Sequence, residues 1–265
     1  MTVEFVDIEA GGRRFTIEHQ WLGRERRDQP LTVFLHEGLG SVAMWRDFPA
    51  RLVDALGWRG LVYSRPGYGR STPRPHGEAW APDFMHHQAQ HVLPALLQAL
   101  DIDTVRDRPW LFGHSDGGSI ALLHAAAFPS QVAGLVVLAP HIFVEDVSIT
   151  NIEQARKAYV DATLRTGLAK YHADVDSAFW GWNDIWLAPA FRGWNITAEL
   201  SAIACPLLAV QGLDDEYGTL AQIHGIADRV PGTRLVELPD CGHSPHRDQP
   251  EAVIAAVKRF VDMAG

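Results

Sequence analysis

The residues best suited to chemistry form a Gly-His-Ser-Asp-Gly segment at positions 113–117. An apolar run precedes it and a run rich in alanine and leucine follows, which indicates a tight turn from a strand into a helix. Glycines on both sides permit such a turn and leave the hydroxyl of Ser115 exposed on a strained backbone. Ser115 is therefore the predicted nucleophile of an acyl-transfer reaction, although a plain glycine-rich turn would give the same short pattern.

A serine hydroxyl is a weak nucleophile, so it needs a histidine within hydrogen-bond reach and a carboxylate that fixes the histidine tautomer. His243 follows a glycine in the loop after the last predicted strand, and it is the predicted base. His246 is the competing residue. We interpret it as a solvated residue of the loop or of the helix start.

The acid is expected in the turn after the preceding strand, because the chain order for this chemistry is serine, acid, histidine. The carboxyl ends of parallel strands also meet at one edge of a sheet, where ligands bind. Three adjacent carboxylates stand in that turn, at positions 214–216. Asp215 is the predicted acid because the turn brings its side chain back toward this edge. Asp214 is the alternative, and Glu216 is expected to be solvated.

The elements that must position these residues follow from alternating apolar runs and helical patterns. Two runs separated by Gly11-Gly12 predict an antiparallel hairpin, and six further runs predict parallel strands. The fold class is therefore α/β, with an eight-stranded, mostly parallel sheet and helices on both faces. The predicted strands are Val3–Ile8, Phe15–Trp21, Leu31–Leu35, Gly60–Ser64, Pro109–Phe112, Gly134–Ala139, Pro206–Gln211 and Thr233–Leu238. The predicted helices are Trp45–Leu56, Asp83–Leu100, Gly117–Phe128, Leu220–Val230 and Pro250–Met263.

One connection between parallel strands, at about 141–200, is far longer than a crossover requires. We expect it to be an inserted helical cap on a core domain formed by residues 1–140 and 201–265. The insertion is rich in tryptophan, and its indoles would either pack in its own core or line a substrate pocket above Ser115. These tryptophans are Trp180, Trp182, Trp186 and Trp194.

Composition limits the class of protein. Of the 265 residues, 47% are hydrophobic and 21% are charged, as in an ordinary globular protein, and no linker divides the chain. The formal net charge of −9 argues against binding to nucleic acid or anionic membranes. With neither a leader-like N-terminus nor a run of roughly 18 apolar residues, a cytoplasmic location is expected. Cys205 and Cys241 are expected to be buried thiols.

Taken together, the serine, acid and histidine motifs make the chain resemble the α/β-hydrolase superfamily from about Val3 to Phe260. It is most similar to the capped esterases, lactonases and meta-cleavage-product hydrolases. In that superfamily the first parallel strand ends in a His-Gly motif that contributes one backbone amide to the oxyanion hole, and residues 36–41 match this place. The resemblance implies that the donors are the amides of Gly38 and Asp116. The family's Gly-x-Gly-x-Ser turn is present at 67–71.

Three residues depart from the family pattern. Glu37 replaces a glycine of the oxyanion loop, Ser64 stands where an aspartate is common, and Asp116 places a carboxylate beside the nucleophile. A negative charge near an oxyanion opposes catalysis unless it is neutralised. Either Arg65 neutralises Glu37, or Glu37 points to solvent.

The resemblance also bears on the reaction. Meta-cleavage-product hydrolases typically carry an aromatic residue after the catalytic histidine and an asparagine before the serine, and here Ser244 and His114 stand there. This favours hydrolysis of a carboxylic ester or lactone over carbon–carbon cleavage. Ser115 excludes the aspartate-dependent dehalogenases and epoxide hydrolases of the same fold. The remaining alternatives are a carbon–carbon hydrolase, a lyase or cofactor-free oxidative activity, and a small-molecule receptor.

A cluster of histidines on the second predicted helix includes a pair four residues apart, a spacing that can bind a metal ion. These residues are His86, His87 and His91. Since no Cys, Asp or Glu completes a ligand set, we interpret them as a solvated or hydrogen-bonded helix face. The predicted chemistry needs no metal or cofactor, and the expected partner is a small-molecule substrate.

Overall fold

The computed structural model describes residues 2–264, so Met1 and Gly265, at the ends of the two expected core segments, lie outside it. All eight predicted strands are confirmed, with ends that shift by at most about two residues. They are β1 (Glu4–Ala10), β2 (Arg13–Leu22), β3 (Leu31–Leu35), β4 (Arg59–Tyr63), β5 (Trp110–His114), β6 (Gly134–Leu138), β7 (Leu207–Gly212) and β8 (Arg234–Leu238).

The strands form one sheet in the order β1-β2-β4-β3-β5-β6-β7-β8. Strand β2 pairs antiparallel with both β1 and β4, and every other neighbouring pair is parallel. Strand β5 lies between β3 and β6, so its carboxyl end is central in the sheet. The predicted mostly parallel α/β sheet is thereby confirmed.

Both faces of the central sheet are covered, which explains why inner strands such as β3, β6 and β7 are largely apolar runs. Successive side chains of β3 illustrate this, since Val33 enters one hydrophobic core and Phe34 the other. The helices are α1 (Phe48–Leu56), α2 (Phe84–His87), α3 (Leu93–Ala99), α4 (Asp116–Ala127), α5 (Asp146–Val160), α6 (Thr163–Leu168), α7 (Val175–Trp186), α8 (Ala221–Arg229), α9 (Pro245–Asp248) and α10 (Pro250–Ala264). Helices α1 and α10 pack on the Phe34 face, and α3, α4 and α8 pack on the Val33 face.

The segment predicted as one helix at 83–100 contains a π-helical turn, Gln88–Val92, between α2 and α3. In this turn the carbonyl of Ala89 accepts a hydrogen bond from His124 Nδ1 of α4 at 2.7 Å. A buried side chain of a neighbouring helix thus uses a backbone acceptor of the turn. Sequence periodicity alone does not reveal such a contact.

The long connection between β6 and β7 contains α5, α6, α7 and two short 3₁₀ turns, Pro189–Phe191 and Leu200–Ala202. Its interior is aromatic, with the rings of Tyr159 and Phe179 stacked at a centroid distance of 3.6 Å. Both residues belong to the core that includes Val33, so the insertion packs continuously on the sheet domain.

Within residues 2–264 no helix combines the length and the apolar character needed to cross a bilayer. Cys205 and Cys241 are buried free thiols, as predicted.

Candidate active site

Ser115 stands at the junction of β5 and α4 with φ 53° and ψ −120°, a left-handed conformation that is strained for a residue with a side chain. The glycines on both sides are sterically required. A Cβ on Gly113 would lie 2.3 Å from the carbonyl oxygen of Gly117, and one on Gly117 would lie 2.1 Å from that of Leu35. The Ser115 amide donates to the carbonyl of Leu138 at 2.9 Å, which attaches the turn to β6.

The structure brings the three predicted catalytic residues together. The Nε2 atom of His243 lies 2.9 Å from Ser115 Oγ, although 128 positions separate the two residues. On the other side of the ring, His243 Nδ1 lies 2.8 Å from Asp215 Oδ1. Because a carboxylate only accepts, Nδ1 carries the proton and Nε2 is free to accept one from the serine hydroxyl.

Asp215 is held in place by its own turn. Its Oδ1 atom accepts from the backbone amides of Tyr217 at 2.8 Å and Gly218 at 3.2 Å, and Oδ2 accepts from Gln211 Nε2 at 3.2 Å. Asp214 is exposed. The turn after β7 therefore directs Asp215, and not Asp214, toward the histidine.

Glu216 is exposed in the turn after β7, as predicted, but it also has a contact that was not predicted. Its Oε2 atom accepts a hydrogen bond from the backbone amide of His243 at 3.0 Å. This hydrogen bond forms because the loop after β8 folds back over the turn after β7, a contact between distant segments that the local pattern of three acidic residues does not reveal.

His246 also differs from its predicted role, because it is only 4% exposed. Its ring packs against Trp45, Phe48 and His114, with centroid distances of 4.8, 5.5 and 4.7 Å. Trp45 and Phe48 come from the segment after β3 and His114 from the end of β5, all far from His246 in sequence. His246 therefore supports, from within the core, the loop that carries His243.

The charges around His243 favour its protonated form. Burial would lower the pKa of His243, but the hydrogen bond and charge of Asp215, with the charges of Glu216 and Glu37, raise it above its ordinary value. Burial would likewise raise the pKa of Asp215, and the hydrogen bond and charge of His243 lower it below its ordinary value. Asp215 thus stabilises the doubly protonated, imidazolium form of His243.

Among the aromatic rings near His243 that were not predicted as site residues are those of Tyr217 and His141. The ring of Tyr217 lies 4.8 Å from that of His243, and the ring of His141 lies 5.8 Å from it. Burial lowers the pKa of His141 to about 3, so this ring is neutral near pH 7. His141 follows the carboxyl end of β6, next to β5, and this position at the ligand edge of the sheet was the signal in the sequence.

A sequence model of the alpha/beta hydrolase family matches residues 32–256. The chain belongs to this family. It is 25% identical over 260 residues to the 2-succinyl-6-hydroxy-2,4-cyclohexadiene-1-carboxylate synthase of Serratia proteamaculans, a match that covers 88% of this chain and 94% of the relative. It is 26% identical to the pimeloyl acyl-carrier-protein methyl ester esterase of Aromatoleum aromaticum, with 88% and 99% covered. The enol-lactonase of Burkholderia xenovorans has the same fold, with a TM-score of 0.73, 20% identity, and 97% and 99% covered.

In this α/β hydrolase the two amides that the resemblance assigns to an oxyanion hole belong to Gly38 and Asp116. Gly38 lies in the turn after β3, and Asp116 is the first residue of α4. Within residues 2–264 neither amide donates to a protein acceptor. Both amides are therefore free for a ligand oxygen, and the N-terminus of α4 adds favourable polarity for negative charge.

The expectations for Glu37 and Arg65 need correction. The carboxylate of Glu37 lies 3.6 Å from His114 Nδ1, with 22% of its side chain exposed. Arg65 instead places its Nη2 atom 3.8 Å from the carboxylate of Asp116. Burial would raise the pKa of Glu37, but His114 and His36 lower it well below its ordinary value. Glu37 is thus compensated by histidines, and the guanidinium of Arg65 compensates Asp116.

The serine at position 64 has a partner that replaces the usual aspartate of the hydrolase family. Glu18 of β2 is 3% exposed, and its Oε2 atom accepts from Ser64 Oγ at 2.7 Å and from the Arg70 amide at 2.9 Å. A carboxylate from the neighbouring strand therefore supports the turn at 67–71.

Two of the four tryptophans of the insertion lie against the site. A Cβ on Gly38 would lie 2.2 Å from Trp182 Nε1, so this indole packs directly on the oxyanion loop. The Nε1 atom of Trp186 donates to Asp116 Oδ1 at 3.2 Å. Both indoles come from α7, which crosses above the nucleophile.

The structure does not bring the other two tryptophans to the nucleophile. Trp180 lies on another side of α7, where the guanidinium of Arg156 stacks on its ring at 5.3 Å. Trp194 stacks on Phe191 at a centroid distance of 5.3 Å and is 8% exposed. Trp180 and Trp194 therefore match the alternative in which the indoles pack within the insertion. Trp180 does so because a helix that crosses the site directs only one side toward it, and Trp194 because it lies beyond the end of α7.

Among the histidines of the second predicted helix, His86 has a partner of its own, while His87 and His91 neighbour each other. His86 Nε2 bonds to Glu199 Oε1 at 3.0 Å, and the rings of His87 and His91 lie 5.2 Å apart. Across residues 2–264, no group of three or more His, Cys, Asp or Glu side chains is arranged to hold a metal ion.

Proposed function

We propose that this chain is a serine hydrolase that cleaves a carboxylic ester or lactone through an acyl-enzyme. The observation that carries the proposal is the continuous hydrogen-bonded chain from Asp215 through His243 to Ser115, with distances of 2.8 and 2.9 Å. The free amides of Gly38 and Asp116 beside the serine add an oxyanion site, which typically supplies a large share of the rate enhancement in acyl transfer.

The reaction begins when Ser115 Oγ attacks the substrate carbonyl carbon and His243 Nε2 takes the hydroxyl proton. Asp215 stabilises the imidazolium, and the two amides bind the tetrahedral oxyanion. Collapse of this intermediate breaks the bond to the leaving oxygen, which receives the proton from His243. Water then attacks the acyl-enzyme with His243 as base, and a second collapse releases the acid and restores Ser115.

The substrate class is a small molecule with an apolar or aromatic acyl group. Residues 141–200 would act as a cap, because α7 places the indoles of Trp182 and Trp186 against the two oxyanion residues. One relative is a methyl ester esterase, which supports an ester substrate. Another relative is named as a synthase of a cyclohexadiene carboxylate, which keeps a reaction other than hydrolysis as the second candidate.

The test combines active-site labelling with product analysis. A fluorophosphonate should label wild-type protein at Ser115, and Ser115→Ala should lose labelling and turnover by several orders of magnitude while remaining folded. A panel of p-nitrophenyl esters, lactones, thioesters and a vinylogous diketone should show ester or lactone hydrolysis as the fastest reaction. Labelling at another residue, or an unchanged rate in Ser115→Ala, would refute the nucleophile. Faster diketone cleavage, or products formed without uptake of water, would refute the reaction class.

A further inference from the structure

Arg65 is buried beneath the oxyanion loop. The residue follows β4 and is 0% exposed, which is rare for a permanently charged side chain. Burying a guanidinium costs several kcal/mol unless acceptors and an opposite charge surround it. The groups that compensate Arg65 are the carbonyl of Glu37, which shares a peptide with the Gly38 amide, and the carboxylate of Asp116.

The first contact fixes a peptide plane. The carbonyl oxygen of Glu37 accepts from Arg65 Nη2 at 2.8 Å and from His36 Nδ1 at 2.7 Å. His36 Nε2 in turn accepts from the Arg65 backbone amide at 3.0 Å, which leaves the ring proton on Nδ1. A trans peptide is planar, so its carbonyl and the following N–H point in opposite directions. Holding the Glu37 carbonyl therefore sets the direction of the Gly38 N–H.

The second contact concerns the other donor. Arg65 Nη2 lies 3.8 Å from Asp116 Oδ2, and Asp116 Oδ1 accepts from Trp186 Nε1. The Asp116 side chain is 1% exposed, so little solvent screens its charge. A free carboxylate at this position would repel the oxyanion that forms beside its own amide. The guanidinium opposes that repulsion and restrains the first residue of α4.

We propose that Arg65 is a positioning residue that connects both halves of the oxyanion hole, by orienting the Glu37–Gly38 peptide and compensating the Asp116 carboxylate. The inference rests on the proposed function, because it assigns these amides to an oxyanion. The competing explanation is a buried ion pair that only stabilises the fold. The two explanations make different predictions for the transition state. Only a positioning role makes Arg65 affect the binding of a tetrahedral adduct more than the binding of substrate.

The experiment compares Arg65→Met with wild type on one p-nitrophenyl ester and two inhibitors. A trifluoromethyl ketone adds Ser115 Oγ to its carbonyl and forms an oxyanion, whereas the matched methyl ketone binds without adding. For Arg65→Met we expect kcat to fall about 100-fold and the trifluoromethyl ketone to weaken by a similar factor, as for loss of one oxyanion donor. KM and the methyl ketone affinity should change less than about threefold.

Two further variants separate geometry from charge. Asp116→Asn combined with Arg65→Met should recover about tenfold of the lost kcat, because the uncompensated carboxylate is removed while the peptide contact stays broken. If Arg65→Met does not fold, Arg65→Lys serves in its place. It retains the charge but not the planar fork, and we expect about a tenfold loss of both kcat and trifluoromethyl ketone affinity.

Arg26→Met is the matched control, because Arg26, like Arg65, contacts both backbone carbonyl oxygen and a carboxylate. It bonds to the carbonyls of Val53 and Trp58 and to Asp54. This variant should lower thermal stability and leave the ratio of the two ketone affinities unchanged.

A folded Arg65 variant with wild-type kcat and ketone ratio would overturn the proposal, as would a loss confined to KM. No recovery in the double variant would overturn its charge component. Fluorophosphonate labelling of wild-type Ser115 is measured alongside, and its absence would instead reject the proposed function.

Discussion

The carboxylate of Glu216 accepts a hydrogen bond from the backbone amide of His243, with 3.0 Å between Oε2 and N. Asp215, the preceding residue, holds the imidazole ring of the same histidine at 2.8 Å. Two consecutive acidic residues thus fix the base at its backbone and at its ring. Because both charges favour the imidazolium, Glu216 influences the pH at which the base becomes available.

Glu216→Gln should move the acidic limb of the kcat/KM profile to lower pH. The amide oxygen of glutamine can still accept from the His243 backbone, but the negative charge that raises the pKa of His243 is gone. A lower pKa leaves the base neutral at lower pH, so activity persists further into acid while the plateau changes little. The measurement is kcat/KM from about pH 5 to about pH 9. Asp214→Asn removes a nearby exposed charge and serves as the control, and a shift toward higher pH in Glu216→Gln would contradict the argument.

Asp215→Asn should lower kcat by about 10⁴-fold, because an amide at this position stabilises the wrong histidine tautomer and cannot balance the imidazolium. Asp214→Asn should change kcat less than about threefold, since Asp214 is exposed and its backbone amide bonds to the Cys241 carbonyl. Steady-state kinetics of the two variants at one pH decide the assignment. Equal losses would show that the acid is misassigned.

The sheet could be predicted from the sequence because every buried parallel strand is an apolar run, as in β3, β6 and β7. Ser115, Asp215 and His243 could be predicted as well, because each follows the end of a strand and the fold brings those ends to one edge. Their proximity thus follows from the sheet topology, and that topology could be predicted from the order of strand and helix patterns along the chain.

The interactions that the sequence did not reveal join segments distant along the chain. Glu216 and the His243 amide meet only when two loops fold together, and Arg65 meets Asp116 across two strands. For an acidic or basic side chain on a loop, the sequence pattern is the same whether it is solvated or paired. Only spatial proximity distinguishes these cases. The contact of Glu18 with Ser64, which stands where the family commonly has an aspartate, also joins distant segments and was not visible in the sequence.

Gly117→Ala should lower the free energy of unfolding by about 2 kcal/mol or more, because its Cβ would lie 2.1 Å from the backbone oxygen of Leu35. Activity should fall with it, since the same backbone shift moves Ser115. Gly167→Ala is the control, because a Cβ there meets no atom within 4 Å and the residue is in α6, where alanine adds about 0.5 to 1 kcal/mol. Denaturant unfolding measures both, and a Gly117→Ala variant as stable as wild type would be inconsistent with the described turn.

Trp182→Ala should reduce the preference of the enzyme for large acyl groups. The Trp182 indole packs on Gly38, so an acyl chain bound at Ser115 would lie beside it and lose contact with water. Burying a phenyl-sized group contributes up to about 2 kcal/mol, or roughly 30-fold in kcat/KM between acetyl and aromatic acyl esters. We expect most of that ratio to disappear in Trp182→Ala.

Trp180→Ala is the matched control, because it removes the same side chain from the same helix at a position stacked on Arg156. The measurement is kcat/KM over a series of acyl esters, together with unfolding curves for both variants. A ratio that falls equally in both would mean that α7 acts through stability, and an unchanged ratio in folded Trp182→Ala would exclude this indole from the acyl pocket.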